Sequence, residues 1–344
     1  MSAPLQVLPL APQHRPVWER FAALHPAATV AHDLRWATVV ENSYGHRPLH
    51  LMAFDGDVVA GILPLFLVEG GPLGRSLVSS PFLTFGGVAA RDAEAAKALA
   101  EASYELAVSL GVDHAEVRGD RPEPGFAHSK TSYHTLRLDL SVGPERLWAG
   151  LHASARRNVK KAQRAGLELL EGLEHLGAFV AVNHRNMHRL GTPAHGGVFF
   201  GQVARQFPEA RLLMLRRRSE WVGGMLLLPH KDTVHMPWVA SLERHFELRP
   251  NNLLYWEAIR SSAERGFAAF DFGRSREDQG TFRFKVQHGG EPVPLYYQYH
   301  LVKDKTVPHL DPSAPRFRAL VAIWRRLPFP LVRALGPRLI GWIP

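Results

Sequence analysis

Residues 267–300 read FAAFDFGRSREDQGTFRFKVQHGGEPVPLYYQYH, and this stretch decides the fold. Ala268, Ala269, Phe270 and Phe272 surround one carboxylate, Asp271, in a short apolar run of the kind that forms a buried strand. Gly273 permits a sharp exit. Arg274, Ser275, Arg276, Glu277 and Asp278 then crowd a polar loop, where a scaffold can present groups to a ligand. Phe282, Phe284 and Val286 alternate with Arg283 and Lys285, which places apolar residues on one face and leaves helix and strand both open. The stretch closes on an aromatic strand around Tyr296, Tyr297 and Tyr299.

Working outward, the preceding residues predict a helix over 145–166, a strand at 167–170, helices at 176–189 and 199–207, strands at 211–216, 221–228 and 234–240, and a helix at 253–265. That order predicts an α/β (α+β) fold, a central mixed and largely antiparallel sheet covered by helices. The first 140 residues repeat the theme, with strand 6–10, helices 16–24 and 34–43, and a hairpin of 50–54 with 58–68 turning at Asp55-Gly56. Helix 92–110, closed by Gly111, and strands 115–118 and 134–140 follow. HLMAFDGDVVAGILPL from His50 aligns with LLMLRRRSEWVGGMLLL from Leu212 at an offset of 163, pairing Asp57 with Glu220, Val59 with Val222, Gly61 with Gly224 and Leu63 with Leu226. Farther on, Gly111 and Glu116 align with Gly266 and Asp271 at an offset of 155. Element order and residue type together predict a duplicated unit.

The chain has 344 residues, enough for two domains. It has no cysteine, which excludes disulfides, thiolate nucleophiles and cysteine-ligated metals and fits a reducing cytoplasm. MSAPLQVLPLAP does not read as a signal peptide, and no apolar run is long enough to span a bilayer. Lys and Arg number 41 against 32 acids, a net charge of +9. Two places hold much of that surplus. Arg156, Arg157, Lys160, Lys161 and Arg164 form a cluster with no acid between His152 and Leu167, and residues 303–344 carry eight Lys or Arg against two Asp. Both favour partners bearing phosphate or an anionic surface.

The motifs DFGRS (271–275), GTFRFK (280–285), HGGEPVPL (288–295) and YYQYHL (296–301), with HRNMHRLGTP (184–193), Phe199-Phe200 and RPNNLLYWEAI (249–259), resemble FemAB-related proteins of the exosortase/PEP-CTERM-associated branch. The resemblance covers roughly residues 145–344 well and the first 140 loosely. It implies two GNAT-like domains in tandem and an acyltransferase, whose best-known relatives move amino acids from aminoacyl-tRNA onto peptidoglycan precursors. On this reading the domains are 1–140, 141–305 with the reaction centre, and a basic amphipathic tail, 306–344.

Acyl transfer to an amine requires a positioned donor, a neutral amine and groups that stabilise the developing oxyanion. Asp271 is the candidate general base or ammonium holder, the alternative being a carboxylate that caps the amides of 273–275. Arg274 and Lys285 are candidates for anionic groups, as a bidentate fork and a point charge. The segment 248–253 precedes a predicted helix whose first amides could take phosphate, and the resemblance makes Arg249, Asn251, Tyr255 and Trp256 pocket candidates. The turn at 248–253 lacks the glycine usual in acetyl-CoA enzymes of this superfamily, which counts against CoA. Tyr255 and Trp256 also suit helix core. The family-matching patch makes His184, Asn186, Arg189 and Thr192 candidate acceptor-binding residues, the alternative being a polar, solvated helix end. His184 and His188 have the i,i+4 spacing of a zinc pair, but without an intervening Glu or a third ligand no metal is expected.

The tail, FRALVAIWRRLPFPLVRALGPRLIGWIP, mixes Arg with Trp, Phe and Leu and is cut by prolines, a composition suited either to the plane of an anionic membrane or to docking on the core. The sequence therefore predicts an N-acyltransferase acting on an amine of a cell-envelope precursor or exopolysaccharide component, cytoplasmic and peripheral on the inner face of the membrane. It is expected to bind no cofactor tightly and to use aminoacyl-tRNA, with a tRNA contact, or acyl-CoA as donor. A non-catalytic module that binds an envelope glycan or protein is the alternative.

Overall fold

A computed structural model describes residues 5–71, 74–308 and 315–343. The chain forms two compact units, one made of Met1–Tyr133, Pro294–Leu310 and Gly341–Pro344, the other of His134–Val293 and Asp311–Ile340.

The first unit begins with β1 (Gln6–Pro9), α1 (Arg15–Leu24), α2 (Leu34–Tyr44), β2 (Arg47–Pro48), β3 (Leu51–Asp55) and β4 (Val58–Leu63). It continues through β5 (Phe66–Gly71), β6 (Gly74–Val78), β7 (Ala89–Ala90), α3 (Ala93–Leu110) and β8 (His114–Gly119). Strands β1, β3, β4 and β7 form one antiparallel sheet, while β8, β6, β5 and β2 hydrogen-bond in that order, with β6 and β8 parallel. Helix α3 starts where the Asp92 carboxylate accepts the Ala95 amide at 2.9 Å, and it stops at Gly111, whose φ of 58° disfavours a side chain. Its buried stripe of Ala95, Ala96, Leu99, Ala100 and Ala107 is mostly small, so the helix lies close against the sheet. The predicted strand 58–68 is in fact two strands, because Pro64 cannot donate to a ladder.

Strand β9 (His128–Asp139) leads into the second unit, which continues with α4 (Pro144–Gly150), α5 (Ala153–Arg164), β10 (Glu168–Glu171), α6 (Leu176–Leu190) and α7 (Gly197–Gln206). Then come β11 (Arg211–Arg217), β12 (Glu220–His230), β13 (Thr233–Ser241), α8 (Pro250–Glu264), β14 (Ala269–Asp271) and α9 (Gly280–Gln287). Strands β10, β11, β12, β13, β14 and β9 hydrogen-bond in that order, all antiparallel except β13 with β14. Helix α8 is buried on nearly every side and, with α4 and α5, covers the core built on Leu213, Met225, Leu227, Phe270 and Phe272.

Two sequence expectations need correction here. The helix predicted over 145–166 is α4 and α5, broken at His152, whose ψ is 146°; the Arg156 guanidinium closes the break by donating to the carbonyls of Ala149 and Leu151. Residues 282–286 are helical, so Lys285 points into the protein while Val286 is exposed, the reverse of a two-faced strand.

Strand β15 (Glu291–Leu301) crosses the unit boundary at Pro294, and its aromatic part pairs antiparallel with β8 from Tyr296↔Gly119 to Leu301↔His114. That pairing assigns 294–310 to the first unit. Helices α10 (Pro315–Arg326) and α11 (Phe329–Ile340) pack on α6 of the second unit. The predicted duplication has a register counterpart: the parallel ladder of β6 and β8 ends at Val78↔Glu116, and that of β13 and β14 ends at His235↔Asp271. The two carboxylates that align in sequence occupy the same ladder position in their respective units.

Candidate active site

Parallel pairing stops at Asp271 while β13 runs on to Ser241. Past Asp271 the chain leans the other way, because Phe272 N donates to Leu136 O at 2.9 Å and Ser275 N to His134 O at 2.8 Å. Gly273, with φ 69°, makes that departure possible. The two strands therefore part where the carboxylate sits.

Asp271 is 1% exposed. Its Oδ1 accepts from the Thr135 hydroxyl at 2.7 Å and from the Gly273 amide at 2.7 Å. Its Oδ2 has no hydrogen-bond partner within the protein, and the Arg137 guanidinium stands 3.5 Å away. One oxygen is thus fixed and the other faces a cation across a gap. His235, level with Asp271 in the ladder, has a pKa lowered by burial, an effect the Asp271 charge opposes. Lys285 is 6% exposed and donates to the carbonyls of Gly273 at 2.8 Å and Arg274 at 3.0 Å. Burial brings its pKa down to about 8, with Asp271 pulling up and Arg274 pushing down. Of the three residues predicted for chemistry, Asp271 and Lys285 are buried together, while the Arg274 side chain is exposed on the loop they hold. Thr135, Arg137 and His235 escaped the sequence reading. The polar alternation of Thr135, Arg137 and Asp139 against Leu136, Leu138 and Leu140 was visible, but which strand it would face was not.

A second group lies at the far end of β13. Ser241 Oγ donates to Asn251 Oδ1 at 2.6 Å, and Arg249, with φ 60°, turns the chain into α8. Arg189 stacks over Phe246 at 5.2 Å, reaches Glu243 at 3.7 Å and donates to Asn186 Oδ1 at 3.2 Å. Asn186, Arg189, Arg249 and Asn251 thus border one turn. Thr192 serves the end of α6 instead, its amide bonded to Met187 O at 3.0 Å beside Gly191. His184 is buried, with Nε2 3.0 Å from His195 O and Nδ1 without a hydrogen bond; burial lowers its pKa. Tyr255 and Trp256 are core residues: Tyr255 packs on Phe272 and Phe284, and Trp256 edges onto Trp148 at 4.7 Å. Among the described residues no group of His, Asp and Glu is placed to hold a metal ion.

Helix α5 turns Ala155, Val159 and Ala162 inward and carries Arg156, Arg157, Lys160, Lys161 and Arg164 on its other sides. No acid interrupts these cations between His152 and Leu167.

Residues 151–286 match the acetyltransferase (GNAT) domain family. The fold is that of tandem GNAT domains. The chain is similar to the crystal structure of FemX, at 13% identity and a TM-score of 0.67 over 87% of this chain and 98% of that one. It is similar to a tandem GNAT protein from the clavulanic acid biosynthesis pathway, at 14% identity and a TM-score of 0.57 over 88% and 100%. It is also similar to L-PGS from Bacillus licheniformis, at 13% identity and a TM-score of 0.55 over 92% and 96%. No curated protein sequence matches the chain.

A CoA pyrophosphate in a GNAT domain would lie at the turn entering α8. That turn fits it poorly here: Pro250 at the first helical position removes an amide, Arg249 carries a side chain at positive φ, and Asn251 is engaged by Ser241.

Proposed function

We propose that the second unit transfers an acyl or aminoacyl group from an activated donor to an amine of a cell-envelope precursor or exopolysaccharide component. The observation that carries this reading is the Asp271 carboxylate, with one oxygen tied to Thr135 and Gly273 and the other unbonded where β13 and β14 part. A base must have a free lone pair in a fixed position, and Oδ2 has both. The acceptor ammonium gives its proton to Oδ2, directly or through a water; the neutral amine attacks the acyl carbon, the amide C–N bond forms as the donor's ester C–O or thioester C–S bond breaks, and the departing oxygen or sulfur takes the electron pair and the second proton that the nitrogen sheds. Arg137 and the exposed Arg274 supply positive charge for anionic groups near that centre, and Lys285 positions the 273–274 loop through its two carbonyls.

The uninterrupted cations of α5 support a phosphate-rich donor such as aminoacyl-tRNA, and the proline-bearing turn before α8 argues against CoA. No described helix is long and apolar enough to cross a membrane. On the reading proposed here the protein works on a membrane-borne precursor from a peripheral position on the inner face. The near-complete burial of Asp271 and Lys285 favours one other reading, a binding module in which the ion cluster only braces the loop.

The test is to incubate purified protein with labelled aminoacyl-tRNAs and acyl-CoAs plus envelope extract, and to identify amide products by mass spectrometry. Asp271→Asn preserves the Oδ1 acceptor, so the variant should fold normally and lose about 10²- to 10⁴-fold in turnover. Undiminished turnover in that variant removes Asp271 from the chemistry. No product from any donor, with folded protein, favours the binding module.

A further inference from the structure

The two tail helices dock with unexpected residues. Trp324 and Val332 face inward, at 8% and 2% exposure. Close approach to α6 and its following loop is set by glycine. A Cβ on Gly191 would stand 2.5 Å from Val321, one on Gly196 2.9 Å from Pro337, and one on Gly336 3.3 Å from the Ala194 amide. Arg325 fastens the contact by donating to Leu190 O at 3.2 Å. A helix pair whose only partner is the protein would turn its leucines and isoleucines to that contact. Here Leu320, Ile323, Leu331 and Leu335 remain outside, at 59%, 57%, 50% and 42% exposure.

The exposed apolar residues are grouped with charge. On α11, Leu331, Leu335 and Arg338 follow at spacings of four and three, and on α10, Ile323 and Arg326 follow at three, so each set shares one side of its helix. From residue 312 to the end the chain has six arginines and no Asp or Glu. An aqueous helix face alternates charge signs or stays polar. A face of leucine and isoleucine bordered only by arginine matches a layer that is apolar below and anionic above.

We infer that α10 and α11 form a docking surface for an anionic phospholipid bilayer, with Leu320, Ile323, Leu331 and Leu335 entering the acyl boundary and Arg326 and Arg338 on lipid phosphates. Unlike a free tail, the surface is held by Trp324, Val332 and Gly336, so binding orders little new chain. The inference stands apart from the acyl-transfer reading, and its test reads no activity.

The experiment is flotation of the full-length protein with phosphatidylcholine vesicles, with and without phosphatidylglycerol. The wild type should float with the anionic vesicles and not with the neutral ones. Arg326→Gln/Arg338→Gln, on exposed positions that leave the dock intact, should weaken binding about 25-fold, at about fivefold per cation. Leu320→Ser/Ile323→Ser/Leu331→Ser/Leu335→Ser should weaken it more than tenfold while circular dichroism stays unchanged. Equal binding to neutral vesicles, no binding by folded wild type, or an apolar-face variant that binds as wild type does would each overturn the inference. So would tRNA retained through the same four apolar residues, or a dimer that the apolar variant converts to monomer without loss of flotation. If the fourfold variant misfolds, the arginine pair decides alone: unchanged flotation overturns the inference.

Discussion

Replacing Lys285 by methionine separates two effects of its burial. The ammonium donates to two carbonyls, and desolvation lowers its pKa from 10.5 to about 8. Between those values the unfolded chain holds a proton that the folded protein has released, so stability rises with pH through the window. The penalty for burying the charge is fully present below about pH 8 and relieved by about 10.5. From pH 7 to pH 10 the change amounts to about 2.5 kcal/mol. A neutral amine still has two N–H groups for the two carbonyls, so relief does not require the contacts to break. Methionine has a similar length and cannot titrate, but it leaves the carbonyls of Gly273 and Arg274 without that donor, at about 1–3 kcal/mol each. At pH 7 removing the buried charge offsets much of this loss, whereas at pH 10 it offsets little. Urea unfolding of both proteins should show the stability gap between wild type and Lys285→Met widening by about 2–3 kcal/mol from pH 7 to pH 10. A gap that stays constant within about 0.5 kcal/mol, or narrows, would refute the buried and depressed lysine.

Gly191→Ala places a side chain at φ 77° and 2.5 Å from Val321 Cγ1; it should cost about 1–2 kcal/mol from backbone strain alone and lower the melting temperature by several degrees. In the first unit, Arg118 donates to Glu116 Oε1 at 2.6 Å with both residues buried. Arg118→Met should destabilise by about 3–5 kcal/mol in denaturant titration, and Arg118→Met/Glu116→Leu should recover most of it, because the loss comes from a stranded carboxylate. A double variant as unstable as the single one would show that the arginine's other contacts matter more.

Much of the fold was legible because the residues that end elements are strong local signals. Asp92 and Gly111 bracket α3, Gly191 closes α6, and the first hairpin turns at Gly56-Asp57, one residue past the Asp55-Gly56 expected from sequence because Asp55 still pairs with Val58. Where tertiary contacts decide, the sequence was silent. The break falls just past Gly150, and a lone glycine inside a helical pattern is a weak signal; the turn through Leu151 and His152 depends on Arg156 reaching back to carbonyls. Lys285 alternates with phenylalanines, a pattern that left helix and strand open, and only the helical period buries it against the 273–274 loop. Asp271 stood out because a single carboxylate in an apolar run needs a partner. Its partners Thr135 and Arg137 lie over 130 residues earlier, and only the register of β14 on β9 brings them level.

The route of β15 bears on how the chain is made. Strand β8 leaves the ribosome early, yet Tyr296 to Leu301, which cover its edge from Gly119 to His114, emerge only after the whole of His134–Val293. The first unit, though N-terminal, therefore cannot complete its sheet until the second has been synthesised, which inverts the usual N-to-C order of domain folding during translation. Throughout that interval the nascent chain carries an open strand edge of the kind that pairs with other chains. A slow ribosome or a stop after residue 293 would thus endanger the half of the protein already made.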